Sequence, residues 1–168
     1  MPLSRSPRRA AAALALGAAV LTTSGCIGSD TDINGAVGVG VDEAGRPVLV
    51  GEVCHGVVVR VDVSGPNRGD QPNEQLAELT AEEPVTASFT LDPADPGPGW
   101  TGEPLELPLG PELHIAYASG GEEADSQLGQ VTFTAADLSA LQPGQVLSER
   151  SDGPVDAEAF ADLACDER

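Results

Sequence analysis

Residues 57–64 read Val-Val-Val-Arg-Val-Asp-Val-Ser, and this run decides the fold class. Val57, Val59, Val61 and Val63 alternate with Val58, Arg60, Asp62 and Ser64. Side chains of an extended chain point to opposite faces in turn, so a period of two marks a strand with one face on a core. The same period recurs on both sides. Upstream, Val37, Val39 and Val41 alternate with Gly38 and Gly40, and residues 47–53 form an apolar strand after a turn at 42–45. Downstream, Val85, Ala87, Phe89 and Leu91 alternate with polar residues. Leu105, Leu107 and Leu109 follow at the same spacing, then Leu113, Ile115 and Tyr117, which would turn His114 away from the core. Val131 and Phe133 and a strand near 145–149 complete the set. Residues 74–83 fit a short helix or an edge strand.

Turn residues separate these runs. Residues 64–73, 92–102 and 119–128 read as loops, the second because Pro93, Pro96 and Pro98 forbid regular pairing. Two short helices are expected. Thr134-Ala-Ala-Asp137 resembles a capping box, with Leu138 and Leu141 behind it and Pro143-Gly144 as a stop. Near the end, Pro154 suits a first helical turn, Asp156 and Glu158 favour its positive end, and Val155, Ala159 and Leu163 share a face. About eight strands, many turns and little helix predict an all-β fold, an immunoglobulin-like β-sandwich with the last helix near the C-terminus. Trp100 lies in a Pro/Gly loop and not in a core strand, unlike the tryptophan of antibody domains.

The N-terminus carries a different message. Arg5, Arg8 and Arg9 form a positive stretch, and residues 10–22 are thirteen uncharged, mostly apolar positions. That length suits a signal-peptide core and falls short of the ~20 residues a spanning helix needs. Thr23-Ser24-Gly25-Cys26 follows and resembles a bacterial lipobox, with Thr23 where an aliphatic residue is usual and Leu21 two places earlier. The resemblance implies a diacylglycerol on the Cys26 thiol and cleavage before it. Residues 1–25 are then a lipoprotein signal peptide, 26–34 a short polar tether and 35–168 one β-sandwich domain. With the Ala, Gly, Pro and Arg richness and no lysine, the chain resembles small exported lipoproteins of high-GC Gram-positive, actinobacterial type. That resemblance implies export and anchoring at the outer membrane face, and no activity.

Cysteine number and charge agree with this address. Lipidation of Cys26 leaves Cys54 and Cys165, an even pair in an oxidising compartment, and a disulfide between them is expected. From Cys26 onward five arginines face all 27 acidic residues, a side-chain balance of −22. Such a surface repels phosphate backbones, so no nucleic-acid partner is expected. The membrane lipid reached through Cys26 is the one partner the sequence names; a protein or small-molecule partner in the envelope is left open.

Motifs for chemistry are sparse. Asp30-Thr-Asp32-Ile-Asn34-Gly35 matches the first half of a calcium loop, but position twelve is Val41 where a bidentate Glu belongs. His55 and His114 are the only histidines, and no free cysteine completes a zinc set. Tyr117-Ala-Ser119-Gly-Gly121 lacks the first glycine of a nucleophile elbow. Glu82-Glu83 and Glu122-Glu123 are neighbours in sequence, whereas glycosidase carboxylates face each other across a cleft. The expected function is therefore a non-enzymatic, lipid-anchored binding or structural module without a cofactor. The alternatives are a hydrolase using carboxylates and His114, and a calcium-dependent adhesion module using Asp30, Asp32 and Asn34. Loops 64–73, 92–102 and 119–128 are where binding is expected.

Overall fold

The valine run forms a strand in the middle of a sheet. The computed structural model describes residues 32–66, 72–107, 110–120 and 126–166. Its first strands are β1 (Asp32–Val41), β2 (Pro47–Val53), β3 (Val58–Ser64) and β4 (Gln75–Val85). The short strands β5 (Phe89–Leu91) and β6 (Trp100–Thr101) come next, followed by β7 (His114–Ser119), β8 (Ser126–Gly129) and β9 (Val131–Phe133). Helix α1 (Ala135–Ala140), β10 (Gln145–Ser148), β11 (Val155–Asp156) and helix α2 (Ala157–Ala164) complete the chain.

The fold is mostly β with two short helices, as the patterns predict, but the layout differs from the immunoglobulin-like sandwich. The eleven described strands belong to one hydrogen-bonded sheet, curled into a half-barrel. β3 lies between β4 and β7, antiparallel to both. β1 pairs along its length with β2, and on its other side with β8 (parallel) and then β10 (antiparallel). Contact between β7 and β8 joins the two halves. Right-handed twist and register shifts within the β1–β8 and β3–β4 pairs favour the curl. β5, beyond β2, and β6, beyond β4, are two of the edge strands, β9 and β11 being the others, and Phe89 and Trp100 meet between β5 and β6 with ring centroids 5.5 Å apart.

From Gly35 to Val41, β1 is buried on both faces. Val37 and Val39 point into the curl with Leu49, Val61, Val63 and Leu79, all fully buried. On the outer face Ala36, Val146, Phe160 and Ala164 form a second cluster under α2. Gly38 makes this possible: a Cβ there would collide with Val146 and come 3.5 Å from the Phe160 ring. Asp156 caps α2 by accepting from the Ala159 N–H at 2.8 Å. A Cys54–Cys165 disulfide, with Cα atoms 5.5 Å apart, ties the end of α2 to the end of β2, as cysteine arithmetic predicts.

Several local expectations change. β7 is turned over: His114, Ala116 and Ala118 are buried, while Leu113 is 47% exposed. Ala116 sits opposite Val63 and Val131, and Ala118 opposite Val61, where the interior is already filled by larger neighbours. Packing volume thus selects the smaller side chains for the inside. Residues 105–107 form no strand: prolines flank them at 104 and 108 in the sequence, Leu105 and Leu107 pack on the core from irregular chain, and Leu109 lies outside the described residues. Residues 75–85 are strand and not helix. The capping box at Thr134 and Asp137 forms as expected, with Thr134 N donating to Asp137 Oδ2 at 2.8 Å. α2 begins at Ala157, after Pro154, and docks chiefly through Phe160 and Ala164; of the expected face, Val155 packs on the same cluster from β11, while Ala159 and Leu163 are half-buried. β1 begins at Asp32, so the expected tether overlaps its first residues.

Two substitutions test the outer layer. Phe160→Ala is expected to lower the unfolding free energy by about 3–5 kcal/mol. Cys54→Ala/Cys165→Ala is expected to lower it by about 2–5 kcal/mol. Both are measured by urea unfolding followed through Trp100, the only tryptophan.

Candidate functional site

The far end of β1 opens into a cavity. Val41 closes the strand, residues 42–46 turn the chain, and Pro47 starts β2. Residues 92–95, Leu105–Leu107 and α1 surround this end and enclose about 540 Å3. That falls within the range of small-molecule sites, ~300–1,000 Å3. Val41, Pro47, Leu105, Leu107 and Leu138 give an apolar floor, with Leu138 held there by the capped helix. Arg46, Asp92, Asp95 and Glu106 give a charged rim.

Local hydrogen bonds fix the rim. Asp42 Oδ1 accepts from the Ala44 and Arg46 backbone N–H groups at 2.9 and 2.8 Å. Its Oδ2 holds Arg46 Nη2 at 2.7 Å, and Arg46 Nη1 reaches Asp92 Oδ2 at 3.0 Å. The Arg46 backbone N–H, and then its guanidinium, hold Asp42 below the usual carboxylate pKa. The Asp42 hydrogen bond, with the Asp92 charge behind it, raises Arg46 in turn. Asp92 Oδ1 accepts from Ala94 N at 2.9 Å, and Leu105 N donates to Pro93 O at 2.7 Å. Arg46 thus links the β1–β2 turn to the 92–95 turn across the cavity mouth.

A second polar group lies on the outer face of the sheet. Asp62 is opposite Tyr117 and Glu78, and is only 2% exposed. Arg60 Nε donates to Asp62 Oδ2 at 2.9 Å, and Gln75 Nε2 donates to Oδ1 at 3.1 Å. The Tyr117 hydroxyl donates to the same carboxylate. Burial pushes the Asp62 pKa up, and Arg60 reverses this only in part. Burial and the Asp62 charge raise Tyr117 as well. With its donors in place, this carboxylate is a satisfied cross-strand network, and the depression at its edge, lined by Gln75, Leu76, Ala77, Glu78 and Glu103, does not include Asp62.

The residues singled out in the sequence are scattered. Cys26, Asp30 and Glu122-Glu123 lie outside the described residues. Asp32, Asn34 and Gly35 belong to β1, and Asn34 O accepts from Cys54 N at 2.8 Å and His55 N at 3.3 Å. Gly35 lies against the Glu52 carbonyl in a strand pair, whereas a calcium loop uses its glycine for a sharp turn. Among the described residues no three His, Cys, Asp or Glu side chains gather around a possible metal. His55 is exposed beside the disulfide, at the opposite end of the sheet from the cavity. His114 is 3% exposed and lies in the interior, its ring 5.7 Å from Phe133. Ser119 ends β7 opposite Gln127, its buried hydroxyl without a hydrogen-bond partner among the described residues. Glu82 and Glu83 are both exposed on β4.

Of the three candidate loops, 92–102 reaches the cavity, through Asp92, Pro93, Ala94 and Asp95. Arg46 and Glu106 were not foreseen. They join the site from segments far apart in the chain, and no local motif marks them. Asp62 carried a weak signal, since Arg60 and Asp62 share a face in the valine run. No family model, curated protein or solved structure matches this chain.

The raised Asp62 pKa fixes the sign of a pH effect. The folded state binds this proton more tightly than the unfolded chain. The resulting stability is complete below the ordinary value of 3.8 and is lost as pH rises through the raised folded value. The stability difference between wild type and Asp62→Asn should therefore shift against the wild type as pH rises above 3.8. Urea unfolding of both proteins across that range measures it; parallel curves would contradict the assignment.

Proposed function

We propose that the protein is a lipid-anchored extracytoplasmic binding module of the cell envelope, held through Cys26 and binding at the cavity beyond Val41. The observation that carries this reading is the path of β1. Cys26 lies six residues before Asp32, a reach of at most about 20 Å. From Asp32 to Val41 the strand rises about 30 Å, and the cavity sits at its end. A lipid on Cys26 would hold the disulfide end towards the membrane and turn the cavity away from it. Two acyl chains give stable anchoring where one is marginal. The thirteen-residue apolar stretch, the basic residues before it and Gly25-Cys26 support the same address.

Expression in an actinobacterial host tests the anchor. The wild-type protein is expected in the membrane fraction, with an intact mass that starts at Cys26 and includes diacylglycerol. Cys26→Ala is expected in the medium or the soluble fraction. A wild-type product without lipid, or equal membrane retention of both proteins, overturns the reading.

A further inference from the structure

We infer that the cavity beyond Val41 takes a ligand with one cationic head, an ammonium or guanidinium, on an apolar body. This rests on the reading of that cavity as the binding site. Its floor is apolar side chain: Val41, Pro47, Leu105, Leu107 and Leu138. Its rim carries three carboxylates, Asp92, Asp95 and Glu106, against the single guanidinium of Arg46. Asp95 and Glu106 are exposed, and neither forms a salt bridge among the described residues. A cation at the mouth would therefore meet unneutralised charge beside an apolar wall.

Arg46 shows how a second cation fits. Its guanidinium is held twice by Asp42, through Nε at 2.9 Å and Nη2 at 2.7 Å, and once by Asp92, through Nη1 at 3.0 Å. A ligand cation can take the place of Nη1 on Asp92 while Asp42 keeps Arg46. Asp92, whose side chain is 16% exposed, then exchanges one partner for another and is never left bare. An anionic head would face three carboxylates. The net charge of −19 on the whole chain adds a field of the same sign, which concentrates cations near the surface.

Calorimetric titration of the mature chain tests this with three eight-carbon probes: octylguanidinium, octanol and octanoate. Octylguanidinium is expected to bind at one site, more weakly as salt rises. Asp95→Asn/Glu106→Gln is expected to weaken it about fivefold, which corresponds to about 1 kcal/mol. Ser139→Trp, on the exposed wall of α1, is expected to block it. The Asn/Gln pair leaves the floor intact and tests the charge even if the tryptophan variant fails to fold. If octanol binds as tightly as octylguanidinium and the Asn/Gln pair changes nothing, the cavity stands as a site and the cationic inference falls. If no probe binds, both fall.

Discussion

The burial of β1 on both faces is the constraint on which the rest of the structure depends. Its valines fill the curl of the sheet, and its small residues lie beneath α2. A strand with valine at every second position and Ala or Gly between can serve two layers, because only one of its faces needs bulk. Phe160 supplies the missing volume on the other side, and Gly38 leaves room for Val146 beneath it. The disulfide then holds the helix over that face. The strand also connects the two ends that the proposed function uses, since the proposed anchor precedes it and the cavity follows it.

The period-two patterns were enough to reveal a β-rich chain, because each strand records its own half-buried state in its side chains. They could not show how the strands close. β1 pairs with β8 and β10, far along the chain, and no local feature of Val37 or Val39 names those partners. β7 shows the limit most clearly. In His114-Ile-Ala-Tyr-Ala118 the larger apolar residues favour one face by hydrophobicity, yet the interior accepted His114 and the alanines. The space left by Val61, Val63 and Val131 decided the matter, and that space exists only once the sheet has formed. Capping was easier to read, since Thr134 and Asp137 lie within one turn of each other and satisfy the helix locally. The disulfide was legible from cysteine number once Cys26 was assigned to the lipobox-like segment. The cavity was not, because its rim comes from three loops and a helix.

The few arginines are placed with economy. Arg46 binds two carboxylates at the cavity mouth, and Arg60 lies between Asp62 and Glu78 on the outer sheet face. Each joins segments that like charge would otherwise push apart. In a chain with so many acids, such positions matter more than their number suggests. They let acidic residues sit at the cavity rim and in the sheet without leaving a buried charge unpaired.

The position of β1 also has a consequence for the order in which the fold can assemble. It is the first of the described strands, yet its edge beside Gly38 is completed only when Ser148 arrives, and its outer face only when Phe160 docks. A polypeptide emerging N-terminus first can pair β1 with β2 early, but must leave the other edge and the outer face open until almost the whole chain is present. Such non-local pairing makes folding slow. If the proposed export carries the chain across a membrane unfolded, that delay would be an advantage: the ribbon would close only after the last helix had crossed.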